Sequence, residues 1–182
     1  MENTRELPKE VGQIISEHRK WVEEHDSSIR ADLTAADLRW INLSYANLRG
    51  AGLREANLRE ANLWGTNLRG ADLGWAKLGG VSLSDANLVG ANLIGVDLQG
   101  VDLQGVDLVG ANLVWADLQK ANLRGADLRG ANLWRADLSK ADLRGADLRE
   151  ADLREANLEG TGVTVDDLLR AGAKATPAIE VN

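Results

Sequence analysis

The sequence predicts an all-β solenoid, a coil of chain with four sides that repeats its shape along one axis. Leucine recurs at every fifth position from Leu33 to Leu158, twenty-six times without an insertion, and Val163 continues the series. In most units a small residue stands two places before the leucine, and Asp or Asn stands one place before it. A period of five fits neither a helix nor a strand alone, so the chain must turn a corner in every unit. Stacked coils of this kind act through the surface that they display.

The residues that end each unit indicate four corners per coil. Positions 50, 70, 90, 110 and 130 are all glycine, whereas the series from 35 to 155 in steps of twenty contains one glycine, Gly95. A twenty-residue period laid over the five-residue one predicts four units per coil, and twenty-seven units then make nearly seven coils. Glycine accepts a positive φ at the third residue of a type II turn, so we expect the corners in the glycine series to be the ones best suited to that turn.

Each unit is expected to place two side chains inside and one outside. In Ala46-Asn47-Leu48-Arg49-Gly50, alternation along an extended segment points Ala46 and Leu48 inward and Asn47 outward. The motif A-(D/N)-L-x-x resembles that of the pentapeptide-repeat family, and the resemblance covers residues 31–165. It implies a right-handed quadrilateral β-helix in which hydrogen bonds join successive coils and the leucines stack in internal ladders.

The segments that flank the repeats differ from them in composition. Residues 8–25 are predicted to form a helix with Pro8 in its first turn, and its apolar stripe comprises Leu7, Val11, Ile14, Ile15, His18 and Val22. Thr164 is expected to cap a short second helix with Asp167, Gly172 to end it, and residues 173–182 to fray. We therefore expect an N-terminal capping helix and turn over 1–30, the β-helix over 31–165, and a short helix with a flexible tail over 166–182.

No constellation of catalytic or metal-binding residues is recognisable. The chain has no cysteine, and its two histidines, His18 and His25, have no convergent third ligand for zinc. The twelve repeat aspartates could be read as paired carboxylates or calcium ligands, but they alternate with asparagine at the outward position, where a short polar side chain bonds the backbone at a bend. The sequence therefore predicts a protein that is not an enzyme, with no catalytic, cofactor-binding or metal-binding residues and no cofactor.

Charge and hydropathy narrow the classes of partner. The net charge is −7, and no basic residue occurs between Lys77 and Lys120. Direct nucleic-acid binding needs a basic face, which a mildly acidic middle does not provide. No apolar run is long enough to cross a membrane, and the first residues contain no apolar stretch typical of a signal peptide. We expect no membrane partner and a cytoplasmic location.

The outward positions depart from the repeat in the middle coils. Large apolar residues are predicted to converge there on one edge as a protein-binding patch, and they are Trp75, Val89, Ile94, Val109, Val114, Trp115 and Trp134. The alternative is that the corner tryptophans lie flat over the backbone and bind nothing. The repeat is most degenerate over residues 74–85, which indicates either a local bulge or bend or a functional segment.

Two functions remain open at this level. The first is a non-catalytic protein-interaction or scaffold module with an unidentified protein partner, for which a homodimer through the Trp/Val edge is expected. The alternative comes from the resemblance, since some family members mimic DNA and bind type II topoisomerases, which protects these enzymes from quinolones. Against this alternative, the chain has no phenylalanine for the central position, and its arginines dilute the negative field.

Overall fold

The computed structural model describes residues 9–24 and 30–175. Lys9–Glu24 form helix α1, a four-sided β-helix begins at residue 31, and Val165–Arg170 form helix α2. Each side of a coil is joined to the next coil by a one-residue parallel bridge rather than by a longer strand. Nearly all of these bridges link residues twenty apart, from Asp32–Gly52 to Asp137–Asn157. This spacing confirms four five-residue sides per coil.

Hydrogen bonds account for every backbone N–H of a repeat unit, as residues 72–76 illustrate. The N–H of Asp72 donates to the preceding coil at 2.9 Å, while those of Leu73 and Trp75 donate to the following coil at 2.7 and 2.8 Å. Ala76 closes the corner by donating to the Leu73 carbonyl at 2.9 Å. The remaining N–H, that of Gly74, donates to Oδ1 of Asp72 at 3.1 Å. The outward Asp or Asn is therefore a backbone acceptor, as the sequence predicted.

All four corners have the same backbone conformation, which corrects the expectation that the glycine series is distinct. Thirteen residues other than glycine have φ between 56° and 60°, and all stand at the third position of a corner. The corner glycines, such as Gly90 and Gly110, fall in the same left-handed region. The reason is geometric, because a four-sided coil of equal sides needs the same turn at each corner. Glycine therefore relieves backbone strain where it occurs but does not select the turn.

The core is a set of apolar columns inside the coil. The leucines predicted to form one vertical ladder are at most 2% exposed, and they are Leu33, Leu53, Leu73, Leu93, Leu113, Leu133 and Leu153. Bridges between the residues that precede them hold these leucines in register, which confirms the ladder. Two threonines take inward positions, and their hydroxyls are satisfied: Thr66 donates to the Leu43 carbonyl at 2.9 Å and Thr161 to the Leu158 carbonyl at 2.8 Å.

The degenerate segment 74–85 coincides with a local opening of the ladder. Within the β-helix as described, Ser82 and Asp102 form no bridge with each other, although the residues on neighbouring sides are bridged between the same two coils. One side earlier, the bond from the Asp97 N–H to the Ala76 carbonyl is stretched to 3.5 Å. The coil above carries valine instead of alanine at three successive inward positions, 96, 101 and 106. Branched side chains occupy more of the interior there, and the coils separate slightly.

Helix α2 begins with the predicted cap. The Asp167 N–H donates to Oγ1 of Thr164 at 3.2 Å, and the Thr164 N–H donates back to the Asp167 carboxylate at 2.9 Å, which completes a capping box. Ala171 is the C-cap, and Gly172 follows with φ of 62°. Leu168 points into the end of the core and is 2% exposed.

The expectation that the chain frays from residue 173 is wrong for residues 173 and 174. The Lys174 N–H donates to the Ala151 carbonyl at 2.8 Å, and the Lys174 carbonyl accepts from the Leu153 N–H at 2.7 Å. The resulting bridge joins Lys174 to Asp152, twenty-two residues apart, because α2 uses more residues than one side of a coil. The pairing satisfies backbone groups that would otherwise be left open at the end of the stack. Residues 176–182 lie outside the described part of the chain.

Helix α1 lies against the repeats through part of its predicted stripe. It spans Lys9–Glu24 against the predicted 8–25, and Val11, Ile14 and Ile15 pack on the core. The other members of the stripe and the second histidine fall outside what the structure describes for side chains, namely Leu7, His18, Val22 and His25. Neither α1 nor α2 has the length and hydropathy that a helix needs to cross a membrane.

The two leucines of α2 provide a test of how the helix closes the stack. We expect Leu168→Ala to lower the free energy of unfolding by about 2–5 kcal/mol, because a buried leucine is lost from the core. Leu169 is its matched control, since it is adjacent and 71% exposed, and Leu169→Ala should change stability by no more than about 0.5 kcal/mol. Urea denaturation of both variants measures the difference, and equal losses would contradict the placement of Leu168.

Candidate protein-binding surface

The structure brings five of the seven predicted patch residues to one corner of the β-helix. The two residues that follow each leucine form a corner, and the corners of one side recur every twenty residues along the chain. The five residues at this corner are called the apolar corner: Trp75, Ile94, Val114, Trp115 and Trp134. The other two, Val89 and Val109, lie at the preceding corner, beyond the outward amides of Asn92 and Asn112. The predicted patch is therefore divided in two. Five residues form one column, and one side of the coil separates them from Val89 and Val109.

Polar contacts fix one end of the apolar corner. The rings of Trp115 and Trp134 have centroids 5.8 Å apart, and the guanidinium of Arg135 lies 4.4 Å from the Trp134 ring centroid. Glu155 holds both neighbours, since its carboxylate accepts from Trp134 Nε1 at 3.2 Å and from Arg135 Nε at 2.6 Å. The Arg135 hydrogen bond, followed by that of Trp134, lowers the pKa of Glu155. Trp134 is thus held in place and half-buried.

Trp75 forms the other end, and Gly95 makes room for it. A Cβ atom added at Gly95 would lie 2.3 Å from the Trp75 ring, so the ring must rest on the Gly95 backbone. Tyr45 rests on Gly65 in the same way at another corner. Corner side chains lean toward the coil that follows, and an aromatic residue with glycine twenty positions later is the sequence signal of this contact. Gly95, Arg135 and Glu155 belong to the surface, although sequence analysis did not include them.

The exposed area of the apolar corner is moderate. Trp75 and Trp115 are 44% and 49% exposed, whereas Ile94, Val114 and Trp134 are half-buried. A tryptophan that can bury 150–250 Å² in full therefore has about 100 Å² left to offer a partner. The whole corner falls well short of the roughly 800 Å² per partner of a standard interface. It can be the centre of a binding surface but not all of one.

The remaining described aromatic residues do not join this corner. Tyr45 and Trp64 contact each other at 4.8 Å between ring centroids, and Trp64 Nε1 donates to the Asp85 carboxylate at 2.9 Å. Trp40 stands at a different corner beneath the guanidinium of Arg39. These groups lie near the N-terminal end of the stack and form separate, smaller surfaces.

Arginine neutralises many of the outward aspartates. In five units an arginine two residues after the aspartate binds its carboxylate at 2.5–2.7 Å, namely Asp37–Arg39, Asp127–Arg129, Asp142–Arg144, Asp147–Arg149 and Asp152–Arg154. The hydrogen bond from Arg144 is the main cause that lowers the pKa of Asp142 to about 2, and Arg149 does the same for Asp147. These pairs are exposed, so each contributes little to stability, but they leave no extended field of one sign on the last coils.

Aspartates in the middle coils accept hydrogen bonds from the backbone and, at Asp102, from a side-chain amide. Asp97 and Asp107 each accept the N–H two residues on, at 3.3 and 3.2 Å. Asp102 accepts from the backbone of Gln104 at 3.2 Å and from the side-chain amide of Asn122 at 2.8 Å. Among the residues that the structure describes, no group of three or more His, Cys, Asp or Glu is placed to hold a metal ion.

Comparisons with known proteins match the repeat in sequence. The family model for pentapeptide repeats matches eight copies, in segments 31–70, 46–85, 66–105, 86–125, 97–135 and 121–160. The chain is 30% identical to HetL of the cyanobacterium Nostoc sp. strain PCC 7120, a protein involved in the regulation of heterocyst differentiation, over 84% of this chain and 75% of HetL, with a TM-score of 0.40. No sequence relative is found among curated proteins.

Two further solved structures are similar. The chain is 34% identical to alr5209, a pentapeptide repeat protein from Nostoc PCC 7120, over 71% of this chain and 84% of that one, with a TM-score of 0.37. It is 21% identical to QnrB1, a plasmid-mediated fluoroquinolone resistance protein, over 81% of each chain, with a TM-score of 0.36.

Substitution of Gly95 tests the packing of Trp75. Gly95→Ala should lower the free energy of unfolding by more than the roughly 1–2 kcal/mol that a left-handed alanine costs, because the new methyl group also displaces the Trp75 ring. Gly110→Ala is the matched control, since Gly110 has φ of 64° and nothing within 4 Å of an added Cβ. Chemical denaturation and tryptophan emission of the two variants give the comparison. Equal destabilisation with unchanged emission would show that the ring does not rest on Gly95.

The arginine–aspartate pairs predict how the stability of the folded protein changes as the pH is lowered. The pKa of Asp142 and of Asp147 is lower in the folded protein than the ordinary value of 3.8, so their contribution is complete above about pH 4 and is lost as the pH falls toward 2. Melting temperatures between pH 6 and pH 2 should fall less steeply in the double variant Asp142→Asn, Asp147→Asn. Arg144→Gln with Arg149→Gln should reduce the slope in the same way, and an unchanged slope in both variants would contradict the prediction.

Proposed function

Because the chain belongs to the pentapeptide-repeat family, we propose that it is a non-catalytic module that binds a protein partner through the surface of a rigid, right-handed β-helix. The apolar corner is the observation that carries this proposal. The inward positions of the repeat are filled mainly by alanine, valine and leucine, and the outward aspartates and asparagines bond the backbone. Only the corner side chains are free to vary without disturbing the coil, and tryptophans concentrated at one corner are typical of a binding surface.

The surroundings of the apolar corner support its role as the centre of an interface. Its two exposed tryptophans lie in the middle of the stack, while Arg54 and Arg154 occupy the same column near the ends. Apolar residues at the centre with charged residues around them are the usual arrangement of a protein–protein interface. Trp134, clamped between Arg135 and Glu155, loses little conformational entropy on binding.

The two helices are proposed as caps of a stack of about seven coils. α1 lays Val11, Ile14 and Ile15 against the repeats, and α2 inserts Leu168 into the other end of the core. An uncapped stack exposes unpaired backbone and invites end-to-end association. The helices thus reduce end-to-end association of whole stacks and favour association through the corners.

We propose a second copy of the chain as the partner that the apolar corner contacts. A two-fold axis beside the stack pairs the corner with itself, and closed two-fold dimers are the commonest oligomers. Since the corner offers well under the area of a standard interface, the dimer is expected to be weak, with dissociation in the micromolar range or above. Val89 and Val109, across the side that bears Asn92 and Asn112, can enlarge the contact.

The DNA-mimic alternative stays a hypothesis without an observation in its favour. Mimicry of phosphates requires carboxylates that stand free in a regular array, whereas Asp97, Asp102 and Asp107 accept hydrogen bonds from the backbone two residues on. The ion pairs of the last coils dilute the negative field further.

A double substitution tests the proposed interface while preserving the fold. Val114→Arg with Trp115→Glu gives the central coil the Arg-Glu pair that the chain already has at positions 54–55 and 154–155 of the same column. Both corner residues are therefore compatible with the turn, as the φ of 60° at Glu55 illustrates. Sedimentation velocity should show a concentration-dependent dimer for the wild-type chain and a folded monomer for the variant.

Trp40→Glu is the matched control. Trp40 is 40% exposed at another corner, and Glu60 stands twenty residues later in the same column. This variant should dimerise like the wild type. A wild-type chain that remains monomeric at high micromolar concentration would refute the self-association, and a dimer that persists in the double variant would place the interface elsewhere.

A further inference from the structure

The β-helix has an open rung at its C-terminal end, next to helix α2. After Thr161 the chain leaves the regular path. Gly162 has φ of 75° although it does not stand at a corner, and the segment does not pair with the side below it. A cavity of about 370 Å³ lies between residues 143–148 of the last regular coil and the departing segment around Gly162, Val163 and Asp167.

Most backbone N–H groups of this column are paired with the next coil. Within the described residues the exceptions are Leu83 and Asp85, at the local opening of the ladder, and the groups at the cavity. One coil below, the Leu123 N–H donates to the next coil at 2.9 Å and the Gly125 N–H at 3.1 Å. Leu143 and Gly145 are the next members of the same column, and within residues 30–175 no acceptor meets either N–H. The N–H of Leu148, on the adjoining side, is open as well. Open donors two residues apart on one edge are the half of a β-ladder that a further strand completes.

The floor of the cavity is apolar, and its packing is looser than that of the rest of the stack. Leu143 and Leu148 are 5% and 8% exposed, the two highest values among the repeat leucines. Ala146 is half-buried, whereas Ala86 and Ala126 in the same column are buried. A small side chain that enters from outside would therefore cover core atoms that the chain itself leaves partly open.

We propose that this open rung binds an extended segment of a partner protein by strand addition, with the segment parallel to residues 141–145. A bound residue in the register of the lower coils would donate its N–H to the Ala141 carbonyl and accept from the Leu143 N–H. The residue two further on would accept from the Gly145 N–H. The side chain between them points to Leu143 and Leu148, so the rung selects an extended main chain with an apolar residue at that place.

A peptide copied from this chain can test the binding of an extended segment, because each side of the coil pairs with a side of very similar sequence. Residues 121–125 read Ala-Asn-Leu-Arg-Gly and pair with Ala-Asp-Leu-Arg-Gly at 141–145. The probe is the acetylated and amidated peptide Ala-Asp-Leu-Arg-Gly, titrated into the full-length, isotope-labelled protein. Amide shifts should saturate at Leu143, Gly145 and Leu148, and hydrogen exchange at Leu143 and Gly145 should slow at least tenfold. The same peptide with an N-methyl group on its aspartate should bind at least tenfold more weakly.

Two variants at opposite ends of one column complete the test. Ala146→Leu should fill the cavity and weaken the peptide at least tenfold, while Ala46→Leu, at the other half-buried alanine of the column, should leave binding unchanged. Thermal melting shows that each variant is folded. Without peptide, the Leu143 and Gly145 amides should exchange faster than those of Leu123 and Gly125. Equal exchange in the two coils, no saturable shift at Leu143 and Gly145, or equal binding of the N-methylated peptide would each overturn the proposal.

Discussion

The closure of one coil in twenty residues is the constraint on which the whole structure depends. Each unit donates two backbone N–H groups to the coil above, one to the coil below, one across its corner and one to its own Asp or Asn, as residues 72–76 illustrate. An insertion of a single residue would move every later unit out of register with the coil beneath it, so the five-residue period runs without interruption from Leu33. The same bonds explain why aspartate and asparagine alternate, since the backbone needs an acceptor at that position and not a charge.

The corners are the positions where the residue type can vary. This variation is limited because corner side chains lean toward the next coil. Trp75 covers the corner of the next coil, and its ring fits there because that corner is glycine, Gly95. The two interpretations of the corner tryptophans are thus compatible: the inner face of the Trp75 ring covers backbone, and 44% of the residue remains available to a partner. Part of the apolar surface therefore stabilises the stack, which makes the apolar corner smaller than its composition suggests.

The two ends of the stack face the same physical problem, since backbone groups there have no coil to pair with. At the C-terminal end, α2 covers the core with Leu168, and Lys174 completes a rung over Ala151 and Leu153. The segment before α2, around Gly162, departs from the coil because the capping box at Thr164 starts a helix where a side would otherwise run. One rung is left open as a result. The proposed apolar corner and the proposed open rung are thus separate surfaces with different chemistry, one made of side chains and the other of main chain.

The sequence by itself determined the period of the repeat, the number of sides in a coil and the inward positions. Five- and twenty-residue periods predicted the four-sided coil and the leucine ladder through Leu33 and Leu153, and the pattern Thr164-x-x-Asp167 predicted the cap of α2, because these features rest on spacing along the chain. The tertiary structure decided what rests on distance between coils. It separated Val89 and Val109 from the apolar corner, seated Trp75 on Gly95, and paired Lys174 with Asp152 across α2. Periodicity assigns a residue to a side and a corner, whereas the contact of side chains and the path of the chain after the last repeat depend on packing that no spacing encodes.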